Sequence, residues 1–281
     1  MASKKNNKER TDVQQLLNKK QKQRNYKYKF EKIIPIILFL ITSVSIVTTI
    51  GIVITLLSES IEFFKRVPFV DFFTGTVLRP LSNDPQFGVL PLLMGTLTSS
   101  AIAISVALPI GLMSAIYLSE YAPEKIRKVC KPLLEVLAGI PTIVYGFFAF
   151  TFVTPLLKMI IPNLEATNIL SPGIVMGIMI IPMIASLSED AMSSVPNAMR
   201  EGALAMGATK LEVVTRVVIP SAISGIVASI VLALSRAIGE TMIVTIASGS
   251  SKNFTFDVTQ SMQTMTAYIV EVTGGDAPAR S

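Results

Sequence analysis

The 281-residue chain contains no histidine, and Cys130 is its single cysteine. One cysteine excludes a disulfide framework within the chain. Without histidine, the usual zinc, haem and Cys-His catalytic arrangements cannot be assembled from this chain alone. A Gly-x4-Gly-Lys-Ser/Thr stretch, the loop that cradles nucleotide phosphates, is missing as well. We therefore expect no metal site, no cofactor and no nucleotide site of its own in this protein.

Charged residues are scarce too, at 16% of the chain against 51% hydrophobic residues. Several uncharged runs reach the roughly 20 residues that a helix needs to cross a membrane. Because the hydrocarbon core offers backbone groups no water to bond, runs of this length must be helical. The sequence predicts an all-α fold, a polytopic transmembrane helical bundle.

Five membrane spans are predicted, at about 33–57, 89–118, 134–157, 168–188 and 221–249. Together with the long loops at 58–88 and 189–220 they form a transmembrane domain at 33–281, which follows a basic tail at 1–32. The first run lacks a convincing small-residue cleavage site, so we expect a retained span and not a signal peptide. No apolar anchor follows the fifth span. The chain therefore either ends in a free outer tail or continues to a sixth span beyond residue 281.

The basic residues sort by loop. Eighteen of the 25 Lys and Arg residues lie in the tail at 1–32 and in the loops at 119–132 and 189–220, whereas six lie in the alternate loops. By the positive-inside rule, this asymmetry places the N-terminus and the 189–220 loop in the cytoplasm and the 58–88 loop outside. Contact with anionic membrane lipid is an alternative explanation of the charged tail. Aromatic residues in the tail are too few for a stacking platform, so no nucleic-acid partner is expected.

The 189–220 loop contains a gapped pattern of small residues. It reads Glu201-Gly202-Ala203, then Gly207, and it ends at Pro220. Small residues allow another surface to approach closely, and Gly207 can end or bend a helix. Pro220 suits the first turn of the next span. The pattern predicts a short helix that docks another protein, and an ordinary amphipathic loop helix is the alternative.

Arg236 and Glu240 lie inside the predicted fifth span. A charged side chain at the centre of a membrane costs about 2.5 to 3.5 kcal/mol, so such residues are mostly paired or line a wet path. A spacing of four residues places both on one helical face, where they can pair. Two interpretations follow: a structural ion pair that fixes helix packing, or a substrate path in which Arg236 binds an oxyanion and Glu240 holds the guanidinium until substrate arrives.

The Glu201 to Pro220 pattern resembles the coupling motif of permease subunits in binding-protein-dependent ABC importers. Gly202 replaces the first alanine of the usual Glu-Ala-Ala triplet, and Val217 and Ile219 replace the usual Ile and Leu; these changes keep size or apolarity. Four further stretches are similar to the phosphate-specific permease of the PstC type, and they lie at 87–92, 118–123, 137–146 and 235–242.

This resemblance implies a MetI-like, type I permease fold with a sixth span after the outer loop, in a bacterial plasma membrane. The implied function is passage of inorganic phosphate through Arg236 and Glu240. The chain itself is then not an enzyme, and a separate ATPase dimer (PstB-like) hydrolyses ATP and docks at the Glu201 segment. A second permease subunit (PstA-like) and an external phosphate-binding protein (PstS-like) complete the system. Alternatives are a permease for another oxyanion such as phosphonate, an anion transporter driven by an ion gradient, and a receptor-like protein.

Overall fold

A computed structural model describes residues 2–80, 82–252 and 254–274, with side chains from residue 33 onward. The chain divides into two compact units, Met1–Pro68 and Phe69–Ser281. The side chains of the predicted basic tail at 1–32, and the residues after 274, lie outside the described part. The two units are considered separately below.

The first unit is a single helix, α1, from Ala2 to Phe64. Its apolar part, Ile33–Phe64, contains an 18-residue window with a mean hydropathy of 2.5 and is long enough to cross a membrane. The helix thus continues past residue 57, where the predicted first span ends. Hydroxyl groups within this apolar stretch bond back to their own helix; for example, Thr48 Oγ1 donates to the Val44 carbonyl at 2.8 Å. This satisfies a polar group that lipid cannot solvate.

The second unit begins with a short helix, α2 (Phe69–Thr74), and a small antiparallel hairpin of β1 (Leu78–Arg79) and β2 (Gln86–Phe87). The remaining elements are helices: α3 (Leu90–Ile116), α4 (Glu124–Ala138), α5 (Thr142–Phe148), α6 (Thr154–Ile160), α7 (Leu170–Ser193), α8 (Asn197–Ala205), α9 (Lys210–Val213), α10 (Ile219–Ile238), α11 (Met242–Ala247) and α12 (Met265–Thr273).

Three π-helical turns join or extend these helices without a break in the chain direction. They are Tyr117–Tyr121 after α3, Ala149–Val153 between α5 and α6, and Val214–Val218 between α9 and α10. Within the described residues, five helical stretches are long and apolar enough to span a membrane: Ile33–Phe64, Leu90–Tyr121, Thr142–Ile160, Leu170–Ser193 and Lys210–Ile238. The predictions of an all-α bundle and of five spans are confirmed.

Helix α7 is the centre of the second unit, and α3 and α10 pack against it. Glycines allow the close approach of α3. A Cβ added at Gly177 would lie 2.8 Å from the Ala103 carbonyl oxygen, and one at Gly173 would lie 2.8 Å from Ile102 Cγ2. Small residues of this kind let membrane helices gain van der Waals contact where no hydrophobic effect drives them together.

Two predicted spans are interrupted in the structure. The predicted span 134–157 crosses a break between the end of α4 at Ala138 and the start of α5 at Thr142, with Pro141 in an extended conformation. The predicted span 221–249 crosses a second break between α10 and α11, after Ile238. Pro141 cannot donate a helical hydrogen bond. The residues next to each break, 136–138 and 237–238, are apolar, so hydropathy alone did not reveal either break.

The segment after α11 packs against the helices over the residues that the structure describes. Gly249 adopts a positive φ of 80° and turns the chain back toward the helices. The Met265 amide donates to Thr96 Oγ1 of α3 at 3.0 Å. A Cβ added at Gly95 would lie only 2.3 Å from the Gln263 carbonyl oxygen, so glycine is required for this approach. The segment is therefore packed along α3 as far as the described residues extend.

We expect Gly177→Ala to destabilise the second unit by about 1 to 3 kcal/mol, since the added methyl group overpacks the contact with α3. The matched control is Gly202→Ala, where an added Cβ has no described atom within 4 Å. Thermal unfolding of the detergent-purified protein measures both variants. Equal unfolding temperatures for the two variants would contradict the packing argument.

Candidate functional site

Helix α8 carries the first part of the small-residue pattern, Glu201-Gly202-Ala203. The helix ends at Ala205, and Gly207 follows with a φ of 86°. This left-handed conformation is easy for glycine and strained for other residues. The prediction that Gly207 ends the helix is confirmed.

The two faces of α8 differ. Ala203 and Ala208 are half-buried and pack against a buried apolar cluster that includes Met192 and Val213. On the other face, a Cβ added at Gly202 or Gly207 would meet no described atom within 4 Å. The large apolar side chain of Met206 beside them is 89% exposed. The pattern therefore combines an inward alanine face with an open surface.

The chain continues from this surface directly into a membrane span. Thr209 and Glu212 form a capping box at the start of α9, in which each side chain bonds the backbone amide of the other. A π-helical turn, Val214–Val218, then leads into α10, and Pro220 stands in the first turn of that helix. The missing amide of Pro220 is harmless there. One helical stretch, Lys210–Ile238, thus connects the α8 region with Arg236.

Arg200 of α8 ties this helix to the ends of α3 and α7. Its Nε and Nη2 donate to Glu120 Oε1 at 3.3 and 3.0 Å, and Nη2 also donates to the Met192 carbonyl at 2.8 Å. Nη1 donates to the Val195 carbonyl and to Asn197 Oδ1. The side chains of Glu120 and Arg200 are only 7% and 16% exposed. One guanidinium therefore compensates a buried carboxylate and binds carbonyls at the C-terminal end of α7.

A second cluster joins α4 to α7. The carboxylate of Glu189 is fully buried, and it forms ion pairs with Arg127 and Lys131 of α4. Ser193 Oγ donates to Glu189 Oε1 at 2.9 Å, and Lys131 also pairs with Asp190 at 2.9 Å. Two cations beside one buried carboxylate offset the loss of its hydration. Sequence analysis missed both clusters, and the one available signal was an acidic residue at the end of an apolar run.

Arg236 and Glu240 do not form the ion pair that their spacing predicted. Because α10 ends at Ile238, Glu240 leaves the helical face of Arg236. Its carboxylate instead accepts hydrogen bonds from the amides of Met242 and Ile243, at 3.1 and 3.4 Å, at the start of α11. Among the side chains that the structure describes, Arg236 is half-buried and has no hydrogen bond or ion pair.

The two helix interruptions lie side by side. A Cβ added at Gly146 of α5 would lie 3.2 Å from the Met242 carbonyl oxygen of α11. Tyr145, beside Gly146, donates its hydroxyl to the Leu137 carbonyl across the α4–α5 break at 2.9 Å. Interrupted membrane helices expose polar backbone groups, which are tolerated where they are buried in protein or line a cavity.

A polar cavity lies at the end of the unit that carries the hairpin. Its volume is about 640 Å³, and Arg79, Ser250 and Lys252 are among its lining residues. Lys252 also pairs with Glu271 at 3.8 Å and lies 4.9 Å from the centre of the Tyr268 ring. A volume of this size is in the range of small-ligand pockets. Sequence analysis did not single out either cation.

A helical bundle with several apolar spans, an exposed small-faced helix, two interrupted spans and, next to one interruption, an arginine without an ion pair among the described side chains has the features of a membrane transport subunit. The chain belongs to the family described as "Binding-protein-dependent transport system inner membrane component", whose sequence model matches residues 107–274. It is thus a multi-pass membrane protein and a transporter subunit, and not an enzyme. The receptor-like alternative is wrong.

Curated relatives agree with this family. The chain is 33% identical to the "Probable ABC transporter permease protein YqgH" of Bacillus subtilis over 74% of its own length and 68% of that protein. It is 36% identical to the "Phosphate transport system permease protein PstC" of Haemophilus influenzae, over 72% and 69% of the two chains. The "Phosphate transport system permease protein PstC" of Mesorhizobium japonicum is 33% identical to the chain, over 78% of this chain and 72% of that protein.

We expect the double substitution Arg127→Gln/Lys131→Gln to destabilise the protein by about 3 to 5 kcal/mol, because it leaves the Glu189 carboxylate buried without a cation. Adding Glu189→Gln to the same protein should recover most of this loss. Lys125→Gln/Lys128→Gln is the matched control, since it removes the same charge from exposed positions of α4. Thermal unfolding measures all three proteins, and a double variant as stable as the control would contradict the prediction.

Proposed function

We propose that the chain is the membrane-spanning permease subunit of an ATP-driven inorganic phosphate importer. The observation that carries this proposal is the connection of two features by one helical stretch. The exposed face of α8, suited to docking, continues through Lys210–Ile238 to the unpaired guanidinium of Arg236. Similarity to two permeases named for phosphate transport supports the choice of substrate.

Arg236 is the proposed contact for the substrate. A guanidinium presents a planar fork of donors that suits phosphate oxygens, and its charge is fixed at physiological pH. The absence of an ion pair to Glu240 among the described side chains leaves these donors available. In this proposal Glu240 does not hold Arg236. It caps α11, and so it keeps the interruption of the helix in place beside the guanidinium.

The surface of Glu201, Gly202 and Gly207 is the proposed docking site for a separate ATPase dimer (PstB-like). Gly202 and Gly207 carry no side chain, so a partner's groove can approach the backbone at these two positions. Ala203 faces inward and packs against the buried apolar cluster. Pro220 lies in the first turn of α10, the span through which movement of α8 would reach Arg236. The tail at 1–32 and the 189–220 loop are accordingly placed in the cytoplasm, as the distribution of Lys and Arg predicts.

Two more partners complete the proposed system. A second permease subunit (PstA-like) would share the passage, since the spans of one chain carry few polar residues to enclose a hydrophilic route. An external phosphate-binding protein (PstS-like) would dock on the outer loops, including 58–88, and deliver the anion. The cavity lined by Arg79 and Lys252 would then lie at the outer end, where a positive charge attracts phosphate.

Replacing Arg236 by Gln should lower phosphate uptake about tenfold or more while the complex still assembles, because a hydrogen bond to a charged group contributes about 1.5 to 3 kcal/mol. Arg236→Lys keeps the charge but loses the planar fork of donors. Its phosphate uptake should therefore lie between that of the unmodified protein and that of Arg236→Gln. Uptake of labelled phosphate by proteoliposomes containing the complete complex measures this. Normal uptake by Arg236→Gln, with normal assembly, would remove Arg236 from the mechanism.

Replacing Gly202 by Leu should weaken attachment of the ATPase, since the new side chain projects from the open face of α8. Gly202→Ala should have a smaller effect, and neither variant should lower the unfolding temperature of the isolated chain, since Ala and Leu both favour a helix more than Gly does. Gly202 is preferred to Gly207 for this test because its φ is not positive, so bulk is added without backbone strain. Co-purification of the ATPase and transport-stimulated ATP hydrolysis are measured. If both are unchanged in Gly202→Leu, α8 is not the docking site.

The gradient-driven alternative is tested with an ATPase subunit that binds but cannot hydrolyse ATP. The importer proposal predicts that phosphate accumulation stops in proteoliposomes containing this subunit. Accumulation that continues, driven by an imposed ion gradient, would overturn it. Competition of phosphonate with labelled phosphate then tests the choice among oxyanions.

A further inference from the structure

We propose that the ion pair between Arg200 and Glu120 fixes the orientation of α8 and passes its movement to α3 and α7. Arg200 would thus be a positioning residue for coupled transport, which acts through the helices that it holds. This inference rests on the proposed function, in which α8 receives the movement of an ATPase.

The first step of the argument is that apolar packing does not fix α8. The helix has nine residues, from Asn197 to Ala205, and none of them is buried. Ala203 contributes only one small half-buried side chain to the apolar cluster beneath the helix. A short helix with so little buried apolar surface needs another interaction to hold it at a defined angle.

The second step is that the guanidinium of Arg200 contacts both long helices at once. Glu120 lies in the π-helical turn Tyr117–Tyr121 that extends α3, whereas the carbonyls of Met192 and Val195 lie at the end of α7. The guanidinium is planar, so its donors keep fixed directions relative to one another. Rotation of α8 must therefore move the ends of both helices or break these hydrogen bonds.

The third step is that the pair is shielded and held. Side-chain exposures of 7% for Glu120 and 16% for Arg200 limit competition by water and salt. Ser119 Oγ donates to the same carboxylate oxygen of Glu120 at 3.0 Å, which orients it toward Arg200. The pair of Arg216 and Glu212 is longer and more exposed: its atoms are 4.0 Å apart, and its arginine side chain is 78% exposed. It offers a matched control.

The experiment compares Arg200→Gln, Glu120→Gln, the double variant and the control Arg216→Gln, each in the complete complex in proteoliposomes. The quantity measured is phosphate transported per ATP hydrolysed. We expect each single variant to lower this ratio about fivefold or more, as expected for the loss of a coupling interaction. The double variant should be no worse than either single variant because the two residues act as one unit. Arg216→Gln should keep the normal ratio, and the KM for phosphate should not change.

A normal ratio in Arg200→Gln would overturn the proposal, as would losses that add fully in the double variant. Hydrogen exchange of the isolated chain tests the anchoring without substrate, ATPase or complex assembly. Amides of 197–205 should exchange faster in Arg200→Gln and Glu120→Gln than in Arg216→Gln, and equal rates would also overturn the proposal. Lack of ATP-driven uptake by the unmodified complex would instead contradict the proposed function, and the exchange result would still decide whether Arg200 anchors α8.

Discussion

Burial of a carboxylate away from water is unfavourable unless a cation reaches it, and this constraint organises the end of the bundle that carries α8. Glu120 and Glu189 belong to the two long helices, α3 with its extension and α7. Their cations come from short helices, Arg200 from α8 and Arg127 and Lys131 from α4. Neither short helix contains a buried residue. Charge compensation is therefore a main attachment of both short helices to the long ones.

This division gives the second unit two kinds of contact. The long helices meet through glycines and small side chains, where a single methyl group would clash, so their mutual packing is rigid. The short helices are held by a few directional bonds, which have defined geometries and can be rearranged as units. Directional bonds suit a surface that is moved by a partner, because they can be rearranged as units. Rigid glycine packing suits the helices that surround a passage.

The sequence was sufficient for the class of fold, the number of spans, the family and the end of α8 at Gly207. These features depend on local composition and on the conformational freedom of one glycine. It was misleading at Arg236 and Glu240, because a spacing of four residues predicts a shared face only within a continuous helix. The break after Ile238 could not be seen in hydropathy. The pairs of Arg200 with Glu120 and of Lys131 with Glu189 join residues distant in the chain, and no periodicity reveals such contacts.

The π-helical turn Val214–Val218 has a consequence for how this region tolerates change in length. Each π turn holds one residue more than the α-helical path would need. That residue rotates everything beyond it by about 100° around the helix axis. A helical wheel that treats Lys210 to Ile238 as one α-helix therefore places the residues of α9 on the wrong face relative to those of α10. Deletion of a single residue within Val214–Val218 would turn this stretch into ordinary α-helix. It would leave the faces of α9 and α10 in register, whereas a deletion at any other point of the stretch would rotate one against the other.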